Sequence, residues 1–197
     1  MTEEYGKDLA DLLAVYLTRF TDGDLRAYVT LRSRLPGPRA NLELAKAFAE
    51  ACQAQRDWKA MWSLCARWTS IPPGEAPADD PAEFALFCGI RGIGALGASG
   101  PQRAREALAH VRPLARDPRW RVREAVAMAI QDTVEGEPAI ALRALEDWVG
   151  AGAWLEMRAA AAGVAEPGIL KERKVALAAL DLHMDIVRRF KASKERE

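Results

Sequence analysis

The sequence predicts an all-α protein, a stack of antiparallel helix pairs, and three observations carry that expectation. Alanine, leucine and arginine dominate the 197 residues, and the 7% aromatic content includes six tryptophans. That mixture favours helices, because straight-chain side chains lose little rotamer freedom in them. Apolar residues recur at helical intervals along most of the chain, with glycine- and proline-rich breaks between the runs. One pattern also returns after 34 residues: Leu108, Leu114, Trp120, Ala125, Val126 and Ile130 map onto Leu142, Trp148, Trp154, Ala159, Ala160 and Val164. Such units bury their apolar faces only against neighbours. The length suits a single domain, 1–197, since a chain of this size buries roughly 70% of its unfolded surface.

Leu9, Leu12, Leu13, Tyr16, Leu17 and Phe20 share one helical stripe, placing a first helix over about 3–20 that Thr21-Asp22-Gly23 stops. Asp24 is expected to cap a shorter helix with Leu25, Tyr28, Val29 and Leu35. The prolines of Leu35-Pro36-Gly37-Pro38 end it, because each excludes helical geometry in the residue before it. Asn41 caps a third helix carrying Leu42, Ala45, Phe48, Ala49 and Cys52. The fourth, about 56–69, carries Trp58, Met61, Trp62, Cys65 and Trp68. Exposed indoles stack on bases, but these are interleaved with Met61 and Cys65 and read as a buried face.

A proline-rich acidic loop, 71–82, then joins the N-terminal helices, 1–70, to the repeats of 83–197, and its length leaves it free to approach a ligand. Gly92-Ile-Gly-Ala-Leu-Gly97 matches G-x-G-x-x-G, but a dinucleotide site needs a preceding strand and a βαβ unit. Residues 83–96 read instead as a helix whose glycines admit a close neighbour. The next helix spans 101–115 and bends at Pro113. Further helices start near Gly136-Glu137-Pro138 and run over 153–165. A final long helix with Leu170, Leu177, Leu180, Met184, Val187 and Phe190 is expected to end the stack with a polar outer face.

Between these lies Asp117-Pro118, expected to cap and begin a helix with Val122, Ala125, Val126, Ala129 and Ile130 on one stripe. The order Leu114, Asp117, Val122-Arg123, Ala125 resembles the HEAT-repeat pattern, which implies a right-handed α-solenoid of antiparallel helix pairs. In the second copy Asp117 maps onto Ala151, and Arg123 onto Met157 with Arg158 one place further. Residues 84–190 also resemble the bacterial alkylpurine DNA glycosylase (DNA alkylation repair) family. Trp120-Arg121-Val122-Arg123-Glu124-Ala125 and Trp154-Leu155-Glu156-Met157-Arg158-Ala159 carry that resemblance. It implies duplex DNA as partner and a catalytic aspartate one repeat earlier, yet the stretch from Phe84 to Leu96 has no carboxylate. Only Arg123 carries over, as the match to the family's active-site arginine, and the catalytic residues stay unassigned.

The formal net charge is zero, but Arg103, Arg105, Arg112, Arg116, Arg119, Arg121 and Arg123 face only Glu106 and Asp117 between residues 99 and 123, a local excess of five. Such a patch can hold an anionic backbone on a neutral protein. Those seven and Arg158 are the expected nucleic-acid contacts. Arg119 and Arg121 are placed where a helix N-terminus attracts phosphate. Arg123 is read either as a ligand contact or as a tie between repeats. Trp120 and Trp154 are expected to line the groove or to pack between repeats. Arg188, Arg189, Lys191, Lys194 and Arg196 read as a solvated tail.

Other chemistry finds little support. His110 and His183 stand alone, and Asp181 and Asp185 precede Arg188 and Arg189 on a salt-bridged face. Cys52, Cys65 and Cys88 lack CxxC spacing, so no metal or cofactor is expected and the thiols are read as reduced in a cytoplasmic protein. No stretch reaches the ~20 apolar residues needed to cross a bilayer, and Met1-Thr-Glu-Glu-Tyr5 lacks an export signal. The leading expectation is therefore duplex DNA binding on an arginine-rich concave face without full catalytic machinery. One alternative is an N-glycosylase acting on cationic alkylpurines with a carboxylate such as Glu83 or Glu156. The other is a protein-interaction scaffold.

Overall fold

The computed structural model describes residues 2–193, which are predominantly helical and contain no strand. Ten α-helices occur among them: α1 (Thr2–Arg19), α2 (Gly23–Leu31), α3 (Leu42–Gln53), α4 (Trp58–Thr69), α5 (Glu83–Gly97), α6 (Pro101–Val111), α7 (Trp120–Gly136), α8 (Pro138–Ala151), α9 (Trp154–Val164) and α10 (Arg173–Ala192). Short 3-10 turns at Arg112–Arg116 and Ile169–Lys171 connect α6 to α7 and α9 to α10.

Local chemistry sets most boundaries. The Asn41 side chain accepts the Leu44 N–H at 3.2 Å to start α3, and Asp57 accepts the Ala60 N–H at 3.0 Å to start α4. At α2 the cap position is Asp22 rather than Asp24, and its carboxylate makes no cap bond. It accepts the Trp68 indole N–H at 2.6 Å and pairs with Arg67 at 3.3 Å. Pro113 acts earlier than a gentle bend would require: α6 stops at Val111 and the chain tightens into the 3-10 turn.

The start of α7 also differs from expectation. Asp117 turns back to accept the Arg119 backbone N–H at 2.8 Å, holding Arg119 extended, so the helix begins at Trp120. Arg119 (φ −75, ψ 120) and Ala153 (φ −79, ψ 119) enter α7 and α9 with matching angles, 34 residues apart.

Helix α5 is the hub, packed against α2, α3, α4, α6 and α7. Fourteen of its fifteen residues are buried, the exception being half-buried Arg91, as expected of a helix apolar all round. Its glycines set the spacing: a Cβ on Gly94 would stand 2.5 Å from the Ala129 Cα of α7. The G-x-G-x-x-G stretch is thus a helix-packing surface. Along one row α3, α5, α7 and α9 pack in succession, while α6, α8 and α10 follow one another along a second. A continuous apolar core runs from Leu9 to Leu182. Trp68 stacks on Phe48 at 5.1 Å within it, and Trp58 and Trp62 lie half-buried against it.

Two expectations fail on packing grounds. The 71–82 loop is pinned rather than free, with Ile71 and Ala76 buried. The outer face of α10 is mixed rather than polar: Leu177, Leu180, Met184, Val187 and Phe190 are exposed alongside Arg173, Lys174, Asp181, Arg188 and Lys191. Arg188, Arg189 and Lys191 belong to α10, with Arg189 paired to Asp185 at 2.9 Å. Lys194 and Arg196 lie outside the described residues.

Candidate functional site

The arginines expected to meet phosphate divide sharply. Arg119 is buried and uses all five N–H donors inside the chain. Two go to Asp117 (2.9 and 2.7 Å), two to the Ile71 carbonyl (both 3.2 Å) and one to the Ala76 carbonyl (3.0 Å). Arg121, with its side chain 2% exposed, donates to Asp79 at 2.8 Å and to the Gly37 carbonyl, while the Trp120 ring covers it at 4.3 Å. Neither guanidinium can reach a phosphate, which corrects the expectation for this pair. Loop carbonyls without secondary-structure partners need donors, and these arginines supply them. Burial pushes the Asp117 carboxyl up, but the hydrogen bonds and charge of Arg119 and the charge of Arg123 outweigh it and hold it below the usual carboxylate range.

Four of the remaining arginines lie on the 3-10 turn or near the starts of α7 and α9. Glu156, buried on α9, takes Arg112 at 2.8 Å and Arg116 at 2.6 Å. Arg123 donates to the Asp117 and Pro118 carbonyls at 2.7 and 3.0 Å, a tie within its own helix entry rather than to another repeat. Arg158 lies exposed two residues beyond Glu156, and Trp120 at the head of α7 is 46% exposed. Trp154, its repeat equivalent, is half-buried and meets Phe190 edge-on at 5.9 Å. Arg103 stands apart over Trp58 at 4.5 Å, and exposed Arg105 reaches only the Pro101 carbonyl, at 3.5 Å.

The two carboxylates considered for excision are both withdrawn from solvent. Glu156 is held by its arginines, and Glu83 is fully buried, with one oxygen accepting the Asp79 N–H at 2.8 Å. Burial raises the Glu83 pKa against that hydrogen bond and the charges of Arg121 and Arg119. His110 is half-buried, shares a 2.7 Å hydrogen bond with Thr69, and has its pKa lowered by burial. His183 contacts the Ala179 carbonyl one turn back on its own helix.

Sequence reasoning missed a different pair. Arg91 of α5 meets Asp132 of α7 at 3.1 Å in a cleft of ≈ 340 Å³ that Lys46, Glu50, Gln53 and Glu135 also line. Burial pushes the Asp132 pKa up to about 6 despite Arg91, and Glu135 adds to the rise. The signal was present: Arg91 is the one charge between Phe84 and Gly97, and a charge within an otherwise apolar helix requires a partner. Asp132 can carry a proton near neutral pH, but its Oδ2 and the Arg91 Nε are buried without hydrogen bonds. The cleft carries both signs of charge. Among the described residues no cluster of three or more histidines, cysteines or carboxylates could hold a metal, and no helix is long and apolar enough to cross a membrane.

Comparison with protein-family models, with curated proteins and with solved structures finds no match for this chain.

Proposed function

We propose that the chain is a right-handed stack of HEAT-like helix pairs that binds duplex DNA without chemistry of its own. The contact runs along the edge where the 3-10 turn meets the heads of α7 and α9. What supports this reading is the exposure of Trp120 at the head of α7 and of Arg158 near the start of α9, with Arg112 and Arg116 on the 3-10 turn between α6 and α7 and Arg123 in the first turn of α7, all close in the chain to two helix N-termini. The mixed-charge cleft on α3, α5 and α7 is a poorer phosphate surface than this edge.

Four arginines neutralise at most four phosphates, so log K should fall against log salt with a slope no steeper than about −3.6. Fluorescence anisotropy with a labelled duplex at low salt tests this. Arg116→Glu with Arg158→Glu should weaken binding at least tenfold while the far-ultraviolet circular dichroism stays unchanged. Absence of binding at low salt, or binding indifferent to the double variant, overturns the proposal. Excision is disfavoured because Glu83 and Glu156 are sealed from solvent. A protein-interaction role is favoured by one separate observation, the exposed apolar row of α10.

A further inference from the structure

Arg91 and Asp132 form an ion pair that is only half made. An arginine and a carboxylate can share two parallel hydrogen bonds, but this pair shares one, from Arg91 Nη2 to Asp132 Oδ1 at 3.1 Å. The Arg91 Nε and the Asp132 Oδ2 are left buried with no hydrogen-bond partner among the described residues. Such atoms are uncommon in a folded chain, and each calls for an explanation. The two side chains line the ≈ 340 Å³ cleft between α3, α5 and α7, and 11% and 20% of their surface stays open. Glu135, exposed and without an ion-pair partner among the described residues, acts on Asp132 through its charge. Lys46 and Glu50 on α3 pair with each other at 3.7 Å. Ala49, Ala95 and Ala98 complete the wall and keep the space clear of long side chains.

We propose that this cleft binds a small zwitterion of the α-amino-acid class, its carboxylate on Arg91 and its ammonium on Asp132 and Glu135. Three features select that chemistry. The unmet capacity is of both kinds, a donor on Arg91 and an acceptor on Asp132, so a ligand with one kind of group leaves the other unmet. The lining sets Glu50, Asp132 and Glu135 against Lys46 and Arg91, a balance that repels a simple anion. The guanidinium and the carboxylate meet at 3.1 Å, so a matching ligand carries its own two charges close together, as on one carbon. The ligand first meets the open parts of Arg91 and Asp132, and a small rotation of each side chain brings the unmet atom to it. The volume is at the small end of ligand sites, which suits a single amino acid.

Isothermal titration calorimetry of the full chain at neutral pH, with each standard L-α-amino acid at millimolar concentration, tests this. At least one should bind. Its amide, which lacks the carboxylate, its N-acetyl derivative, which lacks the ammonium, and γ-aminobutyrate, whose charges are far apart, should each bind at least tenfold more weakly. Asp132→Asn should weaken binding at least tenfold with unchanged circular dichroism. Asp132 faces Arg91, Glu135, Lys46 and Glu50, with Glu166 and Lys171 along the adjoining cavity, and its pKa is pushed up to about 6. An ammonium prefers the ionised carboxyl, so affinity should fall as pH drops through that value, by up to about tenfold per pH unit below it. No amino acid bound, an amide or N-acetyl derivative as tight as its parent, binding indifferent to Asp132→Asn, or affinity independent of pH would each overturn the proposal. The analogues are compared on the unaltered chain, so that comparison holds whether or not the variant folds. The cleft shares no residue with the edge at Arg116 and Arg158, so amino-acid binding and DNA affinity are separately readable.

Discussion

Replacing Arg119 with alanine should be among the most damaging single changes available in this protein, although its position in an arginine-rich stretch at a helix start suggests a phosphate contact. The substitution strips Asp117 of its counter-charge and leaves the Ile71 and Ala76 carbonyls without donors, all in a buried setting. Removing one partner of a buried ion pair costs about 3–5 kcal/mol, against a total stability on the order of 5–15 kcal/mol. A loss of about 4 kcal/mol lowers Tm by roughly 8–16 °C in a domain of this size. The loss should also depend on pH in a defined sense. In the wild type Asp117 titrates below its usual range, so its pairing stabilises the fold above the ordinary carboxylate pKa and is lost as pH falls through the folded value. The gap between wild type and Arg119→Ala should accordingly be widest near neutral pH and narrow in acid. Urea melts at several pH values give this directly. A loss under about 1 kcal/mol, or a gap independent of pH, would refute the assignment of Arg119 as a buried tie. Arg119→Lys keeps the charge but has three donors instead of five, so it should fall between the two.

Three further outcomes follow from the packing and the cleft. In Asp132→Asn the pH dependence should change: with the folded pKa at about 6, the wild type loses about 3 kcal/mol as pH rises from about 4 to 6, and the variant should lack that decline, so parallel stability–pH curves would contradict it. Gly94→Ala forces a Cβ against the Ala129 backbone and should destabilise by about 1–3 kcal/mol, seen as a lower urea midpoint at unchanged m-value. Trp120→Ala removes an exposed ring over Arg121; stability should change by about 1 kcal/mol or less while duplex affinity drops several-fold, and an unchanged affinity would remove Trp120 from the interface.

How much was legible depended on the range of the interactions involved. Helix identity was readable because it rests on local spacing and local caps; Asn41 caps α3 as its side chain suggests. The tryptophans of α4 were readable as packing residues from their neighbours in the same turns. Asp117 was misread because its carboxylate chose a guanidinium two residues away over the helix N–H groups, a competition that helix signals do not rank. The loop before α5 looked free for the same reason. Its anchors, Arg119 and Arg121, come from more than forty residues further along. The exposed apolar row of α10 was hidden by the expectation of an end cap, although all its residues were in view.

The arginine stretch shows why charge density along a chain is a weak measure of the field outside it. Between residues 99 and 123 the excess is five, but Asp79 binds Arg121, and Glu156 binds Arg112 and Arg116. Counting these two distant carboxylates cuts the excess to three. What survives is set by geometry. A guanidinium whose donors all end on carbonyls and carboxylates inside the fold presents little potential to a ligand, while Arg116 keeps over half its side-chain surface after pairing. Duplex affinity, if it follows this reasoning, should respond to Arg116 and Arg158 and survive Arg105→Ala. Stability should respond in the opposite order, with Arg119 first. A protein in which Arg105, far from Trp120 in its hydrogen bonding, contributed as much affinity as Arg116 would be binding through diffuse attraction rather than at the edge between α7 and α9.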